Sequence, residues 1–393
     1  MIENQVEKAQ SKIELADIFR IFNVGRLLTG PESKVANCIR NCQTAVLGGH
    51  KCQCESCRAE HIVYNSCGNR HCPKCQFLAR ARWVKARIEE LLPVQYFHLV
   101  FTIPAVLRLV FLQNKRICFN FLFKASQETL KAVAETKLKA KVGGVSVLHT
   151  WTQKLEFHPH IHMIVPGGGL SLDGTKWVSA KQDYFLPVKA LSKVFRGKLL
   201  NLLETNYSKL EFKGELENIK SESDFKMLLI STTGNDWVVY CKKPFAGPEQ
   251  VIKYLGNYTH RIAISNNRIK KVENGNVVFS YRDGKDDNII KEMKLPGEEF
   301  IRRFLNHILP TRYNKIRYFG FLGRRSKKAD LALCRKLLNV EALLEKSATS
   351  WLEVFNETLG FDPTICQKCK TGKLKIIEVY LSKLNPKKPR DTS

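Results

Sequence analysis

Residues 157–165, Phe157-His158-Pro159-His160-Ile161-His162-Met163-Ile164-Val165, decide how the rest of the chain is read. Three histidines recur at every second position, and on a strand such residues project to one face. Two imidazoles two residues apart on a rigid strand can chelate one divalent ion. A third ligand would come from a neighbouring strand, with Gln153, His149, Glu156 and His158 as the candidates. A lone histidine here would more simply be a half-buried strand residue. Three in alternation, followed by an apolar strand end and the turn-forming glycines 167–169, favour a metal site.

Working outward, Val145–Gln153 reads as the strand before the histidines, and Phe97–Ile103 as a β-rich run closed by Pro104. Residues 105–140, 187–205, 222–230, 298–309 and 329–346 carry helical patterning, and Trp237–Cys241 is a short strand. Residues 262–282 predict a hairpin turning at Glu273–Asn276. Pro248 suits the first turn of a helix running to about Tyr258. Tyr254 and Tyr258 are four apart on that helix, so they share a face about 6 Å apart along the axis. Both rings could simply pack a core. A tyrosine is also a possible covalent nucleophile, provided it faces a metal that activates the phosphate it attacks.

Composition restricts the partners. The chain has 393 residues, 44% of them hydrophobic and 10% aromatic, ample for a core and inconsistent with a disordered or fibrous class. Lys plus Arg number 64 against 37 acidic residues, a net charge of +27, which favours a polyanion such as nucleic acid. Basic residues mix with aromatics in two places: Arg80, Arg82 and Arg87 around Trp83, and Arg302–Arg325 among Phe304, Tyr313, Tyr318, Phe319 and Phe321. The longest apolar stretch, Tyr96–Leu112, is interrupted by His98, Pro104 and Arg108 and is too short to span a bilayer. The N-terminus lacks a signal-peptide core, so a cytoplasmic protein with no membrane partner is expected. Residues 1–35 read as a short amphipathic helical arm.

Thirteen cysteines in that compartment point to metal rather than disulfides. Cys54-x2-Cys57 and Cys72-x2-Cys75 have the spacing of two zinc knuckles, and one four-thiolate zinc site from these four is the expectation. Cys42, His50, Cys67 and His71 could supply a second, interleaved set, with Cys38 and Cys52 spare. The pair Cys366 and Cys369 has no second pair after it and receives no assignment.

The stretches LGGHKCQCESC, YNSCGNRHCPKCQ, VLHTWTQKLEFHPHIHMIVPGGGLS, DWVVYCKKPFAGPEQVIKYLGNYTHRIAISNNRI and EEFIRRFLNHILP occur in this order. Together they resemble the rolling-circle insertion-sequence transposases of the two-tyrosine HUH type, the IS91 family, over about residues 12–340. The resemblance implies an α+β chain with a small zinc-binding module and an endonuclease domain whose central antiparallel sheet is flanked by helices. It implies domains at 1–92, 93–325 and 326–393, the last a helical segment with the Cys366 pair and a basic tail. It also implies that Tyr254 and Tyr258 cleave single-stranded DNA to a 5′-phosphotyrosine and rejoin it. His160 and His162, with Gln153 third, would hold Mg²⁺ or Mn²⁺ beside the structural Zn²⁺. The partner would be single-stranded or hairpin DNA at transposon ends, contacted by Arg80, Arg82, Arg87 and Arg261. No GxxxxGK[ST] loop is present, so no nucleoside triphosphate is expected. The spacing leaves the oligomeric state open. Two competing readings are a zinc-dependent nucleic-acid-binding regulator without catalysis and a metal-dependent nuclease that uses water.

Overall fold

The computed structural model describes residues 13–22, 28, 30–76, 83–84, 86–87, 90–219, 221–242, 262–284, 286–340 and 362–384. The helices named below are α1 (Leu15–Ile21), α2 (Gly30–Asn41), α3 (Arg108–Gln113), α4 (Lys115–Lys137), α5 (Val188–Glu204), α6 (Glu222–Ser231), α7 (Gly297–Asn306) and α8 (Lys327–Leu337). The strands are β1 (Gly49–Cys54), β2 (Glu60–Tyr64), β3 (Tyr96–Thr102), β4 (Ala140–Lys141), β5 (Gly144–Trp151), β6 (Phe157–Pro166) and β7 (Gly168–Ser171). They continue with β8 (Trp177–Ser179), β9 (Val239–Lys242), β10 (Ile269–Glu273), β11 (Asn276–Asp283), β12 (Ile289–Pro296), β13 (Ile316–Phe319) and β14 (Leu374–Tyr380).

The histidine strand β6 lies at the centre of an antiparallel sheet ordered β13-β5-β6-β3-β9. Period-two alternation gives this sheet two different faces. On one, Leu99 opposite Met163 and Phe101 opposite Ile161 point into the main core. There α4 and α5 cover the sheet with Phe119, Leu122, Phe123, Phe195 and Leu199. Ring contacts lock the layers: Phe97 stacks on Phe185 at 5.0 Å, and Phe101 meets Phe195 edge-on at 5.1 Å. Truncating a buried phenylalanine of this kind typically costs ~3–5 kcal/mol, so the core fixes the register of β6. The other face carries the histidines. The inner strands pack closely enough that a Cβ at Gly144 would come within 2.5 Å of the Ile164 carbonyl oxygen.

A second core joins elements distant in sequence. Leu15, Ile18 and Phe19 of α1 are fully buried with Phe300, Phe304 and the β10–β11–β12 sheet. Phe19 meets Phe304 edge-on at 5.7 Å, and Phe279 meets Phe300 at 5.6 Å. Among the described residues of the N-terminal stretch, α1 is therefore packed into a core. Its amphipathic face is buried against α7, and Lys74 ties the zinc module to α1 through Glu14 at 2.6 Å.

Other sequence expectations shift in detail. The helix expected over 105–140 breaks at Asn114, whose non-helical backbone separates α3 from α4. The glycine run after β6 does more than turn, because the chain continues as β7 between β4 and β8. That close approach needs a missing side chain: a Cβ on Gly169 would sit 2.4 Å from the Lys141 carbonyl oxygen. The expected 262–282 hairpin forms as β10–β11, turning at Asn274 and Gly275 in left-handed conformations, and is widened by β12. A fourth sheet, β14-β1-β2, unites the zinc module with residues 374–380. Among the described residues no helix is long and apolar enough to cross a membrane.

Candidate active site and metal centres

The histidine face brings three imidazoles together. His149 on β5 lies directly opposite His160 on β6, and His162 follows on the same face. One ligand nitrogen from each of His149, His160 and His162 falls within 4.8 Å of the others. The ring centroids of His149 and His162 are 4.5 Å apart, and those of His160 and His162 4.8 Å. His160 Nδ1 donates to the His158 carbonyl oxygen at 2.6 Å, which leaves Nε2 as its free lone pair. His162 Nδ1 lies 2.8 Å from His98 Nε2. Such partners on the far nitrogen orient imidazoles in metal sites. Burial is the main cause that pushes His160 and His98 down to about 4 and His162 well below the ordinary value. These rings are therefore neutral bases at pH 7, the form that binds a metal. The donor set fits a divalent ion.

Gln153, the expected third ligand, lies beyond the end of the strand that carries His149. The register shifts between His149 and Trp151 near the end of β5, and Gln153 falls in the turn beyond, where its carbonyl oxygen accepts from the Arg268 guanidinium. His149, one of the four candidates in the sequence, has the geometry instead. His158 shares the histidine face but stands outside the cluster, with burial pushing it down to about 3. His98 is a site residue that sequence reasoning misses, although its alternating place in β3 is a usable signal. Tyr254, Tyr258 and Arg261 lie outside the described residues. The flanks of that stretch are placed: Lys242 pairs with His98, and Ile262 lines a small pocket with Trp151 and His307.

The expected zinc set is divided between two clusters. Cys72 and Cys75 join Cys42 and Cys67, while Cys54 and Cys57 meet Cys366 and Cys369. Strand length explains the division. Cys54 and Cys57 sit at the tip of the β1–β2 hairpin, and Cys42 and Cys67 flank its base. Six residues of strand separate tip from base by ~17 Å, far more than one tetrahedral ion can bridge. In the base cluster, Cys75 Sγ lies 3.5 Å from both Cys42 Sγ and Cys67 Sγ. Zinc–sulfur bonds of ~2.3 Å set tetrahedral edges of about 3.8 Å, so the set fits Zn²⁺. Sulfur–hydrogen bonds from Cys42, then Cys67 and Cys72, hold the Cys75 thiol far below its usual range.

Of the interleaved set, Cys42 and Cys67 lie in the base cluster, and His50 and His71 stand outside both cysteine clusters. His50 lies on β1 opposite Val63 and Val379. His71 is half-buried near α7, accepts from the Leu309 amide, and is pushed down to about 3 chiefly by desolvation.

The basic residues divide similarly. Arg87 is engaged internally, with Tyr318 Oη at 2.5 Å, Glu90 at 2.5 Å and its guanidinium 5.7 Å from the Trp83 ring. Arg80 and Arg82 lie outside the described residues. Phe304, Tyr313, Phe319 and Phe321 are buried and cannot offer faces to bases. Their periodicity in 302–325 belongs to the core. What the segment does expose is a groove of about 480 Å³ lined by Arg116, Asn120, Arg312, Arg317, Tyr318 and Arg324.

Comparison with known proteins places these features in a family. A "Transposase zinc-binding domain" model matches residues 19–103, and a "Putative transposase" model residues 143–329. The putative transposase y4qJ of Sinorhizobium fredii (strain NBRC 101917 / NGR234) is 43% identical over 98% of this chain and 100% of its own length. The transposase for insertion sequence element IS801 of Pseudomonas savastanoi pv. phaseolicola is 28% identical over 72% of this chain and 68% of its own. Among solved structures, conjugative relaxase TrwC in complex with mutant oriT DNA is 17% identical with a TM-score of 0.23, covering 40% of this chain and 65% of that one. TrwC complexed with a 27-mer DNA comprising the recognition hairpin and the cleavage site is also 17% identical, with a TM-score of 0.22, covering 45% and 67%. With a full-length relative at that identity and both models met in order along one chain, this chain belongs to the IS91-type transposases that carry an N-terminal zinc-binding domain.

Proposed function

We propose that this transposase cleaves and rejoins single-stranded DNA through a phosphotyrosine, with Tyr254 and Tyr258 as nucleophiles and His149, His160 and His162 as ligands of Mg²⁺ or Mn²⁺. The observation that carries the reading is the triad of imidazoles on the histidine face of the sheet, with nitrogens within 4.8 Å. Lys242, the described residue that precedes the stretch bearing both tyrosines, pairs with the His98 that contacts His162, which supports the reading. A bound divalent ion would polarise the scissile phosphate and stabilise the charge that develops on it.

The chain's own residues do the remainder. A tyrosine oxygen attacks phosphorus, the bond to the 3′ oxygen breaks, and that oxygen leaves as a 3′-hydroxyl after taking up a proton. The phosphodiester energy is retained in the new tyrosine ester, so rejoining needs no triphosphate. Two tyrosines allow two strands to be held in succession. His98 and the His158 carbonyl keep His162 and His160 oriented. The groove lined by Arg116, Arg312 and Arg324 offers cations to a strand's phosphates. Rim exposure of Arg312 and Arg324 suits a flexible single strand or hairpin stem.

Incubating the protein with labelled single-stranded DNA and Mn²⁺, then denaturing it, should leave a covalent adduct. Tyr254→Phe/Tyr258→Phe should abolish it, and His160→Ala should lower it sharply. Cleavage by the double tyrosine variant at the wild-type rate would make water the nucleophile and refute the proposal.

A further inference from the structure

Cys366 and Cys369 lie outside both family-model matches, and the triad chemistry does not use them. Their surroundings repeat those of Cys54 and Cys57 along the backbone. In each Cys-x-x-Cys turn the residue after the second cysteine is left-handed: Arg58 at φ 60° and Lys370 at φ 63°. Each of these donates its amide back to the first cysteine's carbonyl, Arg58 to Cys54 at 3.1 Å and Lys370 to Cys366 at 2.8 Å. Amides also point at sulfur, Cys57 N–H to Cys54 Sγ at 3.5 Å and Gly372 N–H to Cys369 Sγ at 3.3 Å. A turn that directs two sulfurs outward while its amides soften their charge is the working half of a thiolate metal site.

The two halves face each other. Cys54 Sγ is 3.6 Å from Cys369 Sγ, and Cys57 Sγ is 3.7 Å from Cys366 Sγ, with all four within 4.8 Å. These separations match the ~3.8 Å edge of a zinc tetrathiolate and are far from the ~2.05 Å of a disulfide. His61 Nε2 lies 3.5 Å from Cys366 Sγ as an outer contact. The packing leaves no room for bulk at the junction, since a Cβ on Gly372 would sit 2.3 Å from Cys54 Sγ.

Apolar burial does not explain why the two segments stay together. β14 pairs along β1 from Gly49–Tyr380 to Cys54–Leu374. Yet Ile376, Ile377 and Val379 on it are 50%, 47% and 56% exposed. A strand that leaves its large side chains in water gains little from the hydrophobic effect, and a metal supplies the folding energy such small modules lack.

We propose that Cys54, Cys57, Cys366 and Cys369 hold a second structural Zn²⁺, which fastens residues 362–384 to the β1–β2 hairpin and makes one zinc ribbon of two distant segments. The zinc-binding domain then extends beyond residue 103 to a strand near the far end of the sequence. The proposal is independent of the nucleophile and of the metal on the histidine face.

Native mass spectrometry of the full chain, after a mild chelator has stripped the histidine site, reads the zinc count directly. Wild type should carry two zinc ions, and Cys366→Ser/Cys369→Ser one. Amide exchange over residues 374–380 should rise sharply in the variant and stay unchanged in the strands of the central sheet. Cys369→His, which keeps a zinc donor in place, should retain both ions and the protection, and it decides the matter if the double serine variant fails to fold. One zinc in wild type, two in the folded serine variant, or loss of zinc in Cys369→His would overturn the proposal. So would a mass two hydrogens lighter, showing a disulfide between these cysteines.

Discussion

Replacing His149 by alanine tests which residue completes the histidine site. His149, His160 and His162 each offer a nitrogen within a 4.8 Å span, whereas Gln153 lies in the turn beyond β5. Losing even an outer partner of a metal ligand costs 10–100-fold in affinity, so losing a direct ligand should cost on the order of 100-fold. At a Mn²⁺ concentration 100 times the wild-type Kd, binding stabilises the folded protein by ~2.7 kcal/mol. The same concentration only equals the Kd of the variant, where the gain is ~0.4 kcal/mol. For a domain of this size, 1 kcal/mol shifts the midpoint by ~2–4 °C. Mn²⁺ should therefore raise the wild-type Tm by ~5–10 °C and that of His149→Ala by ~1–2 °C. His149 is buried and stacks on Trp151 at 4.7 Å, so the variant also starts from a lower Tm. The quantity compared is the increment on adding Mn²⁺, measured by scanning calorimetry with the cysteine sites left loaded. Gln153→Ala should keep the full increment. If His149→Ala keeps it and Gln153→Ala loses it, the placement of the third ligand on β5 is wrong.

Two further outcomes follow from the geometry. Glu299 accepts from Arg302 at 2.6 and 2.9 Å and from Arg303 at 2.7 Å, and these guanidiniums, Arg302 foremost, hold its carboxyl down at about 2 against an ordinary 4.5. A depressed acid stabilises the fold fully above its ordinary value and loses that contribution as pH falls toward the folded one. Glu299→Gln should thus cost ~1 kcal/mol at pH 7 after solvent screening, and urea titrations should show the gap closing from pH 4.5 downward; a gap independent of pH would refute the pairing. In the basic groove, Arg312→Ala/Arg324→Ala should weaken single-stranded DNA binding and flatten the plot of log affinity against log salt by about 0.7 for each phosphate no longer neutralised. An unchanged slope would remove the groove from the DNA path.

Local periodicity makes the histidine strand, its partner strands and the main helices legible in the sequence itself. Alternation in 157–165 and the helical spacing in 298–309 are short-range signals, and β6 and α7 follow them. The zinc sites are legible only in part. Cys-x-x-Cys spacing identifies a half-site, but it carries no information about which half-site it will meet. The nearest pair along the chain is the wrong partner, because a hairpin of two strands stands between them. Similarly, a cluster of arginines and rings in 302–325 looks the same in sequence whether the rings face water or core. Tertiary packing decides it: Phe304 joins the core around α1 and α7, Tyr313 and Phe319 join the main core, and Phe321 packs in a third cluster. The choice of His149 over Gln153 turns on a register shift at the end of β5, a one-residue event that periodicity does not reveal.

The pairing of β1 with β14 also has a consequence in time. Cys54 and Cys369 are 315 positions apart. At ~5–20 residues per second of synthesis, the hairpin waits roughly 15–60 s for its third strand to be made. Cys42, Cys67, Cys72 and Cys75 can close their site at once, since all four have already been made. Through that interval the edge of β1 that will receive β14 is unpaired, and an unpaired strand edge is a template for other chains. The tip thiols Cys54 and Cys57 are likewise without their partners. The module that emerges early is thus finished late, and a nascent chain stalled before residue 366 would present both an open edge and a half-built thiol turn to whatever binds such surfaces in the cell.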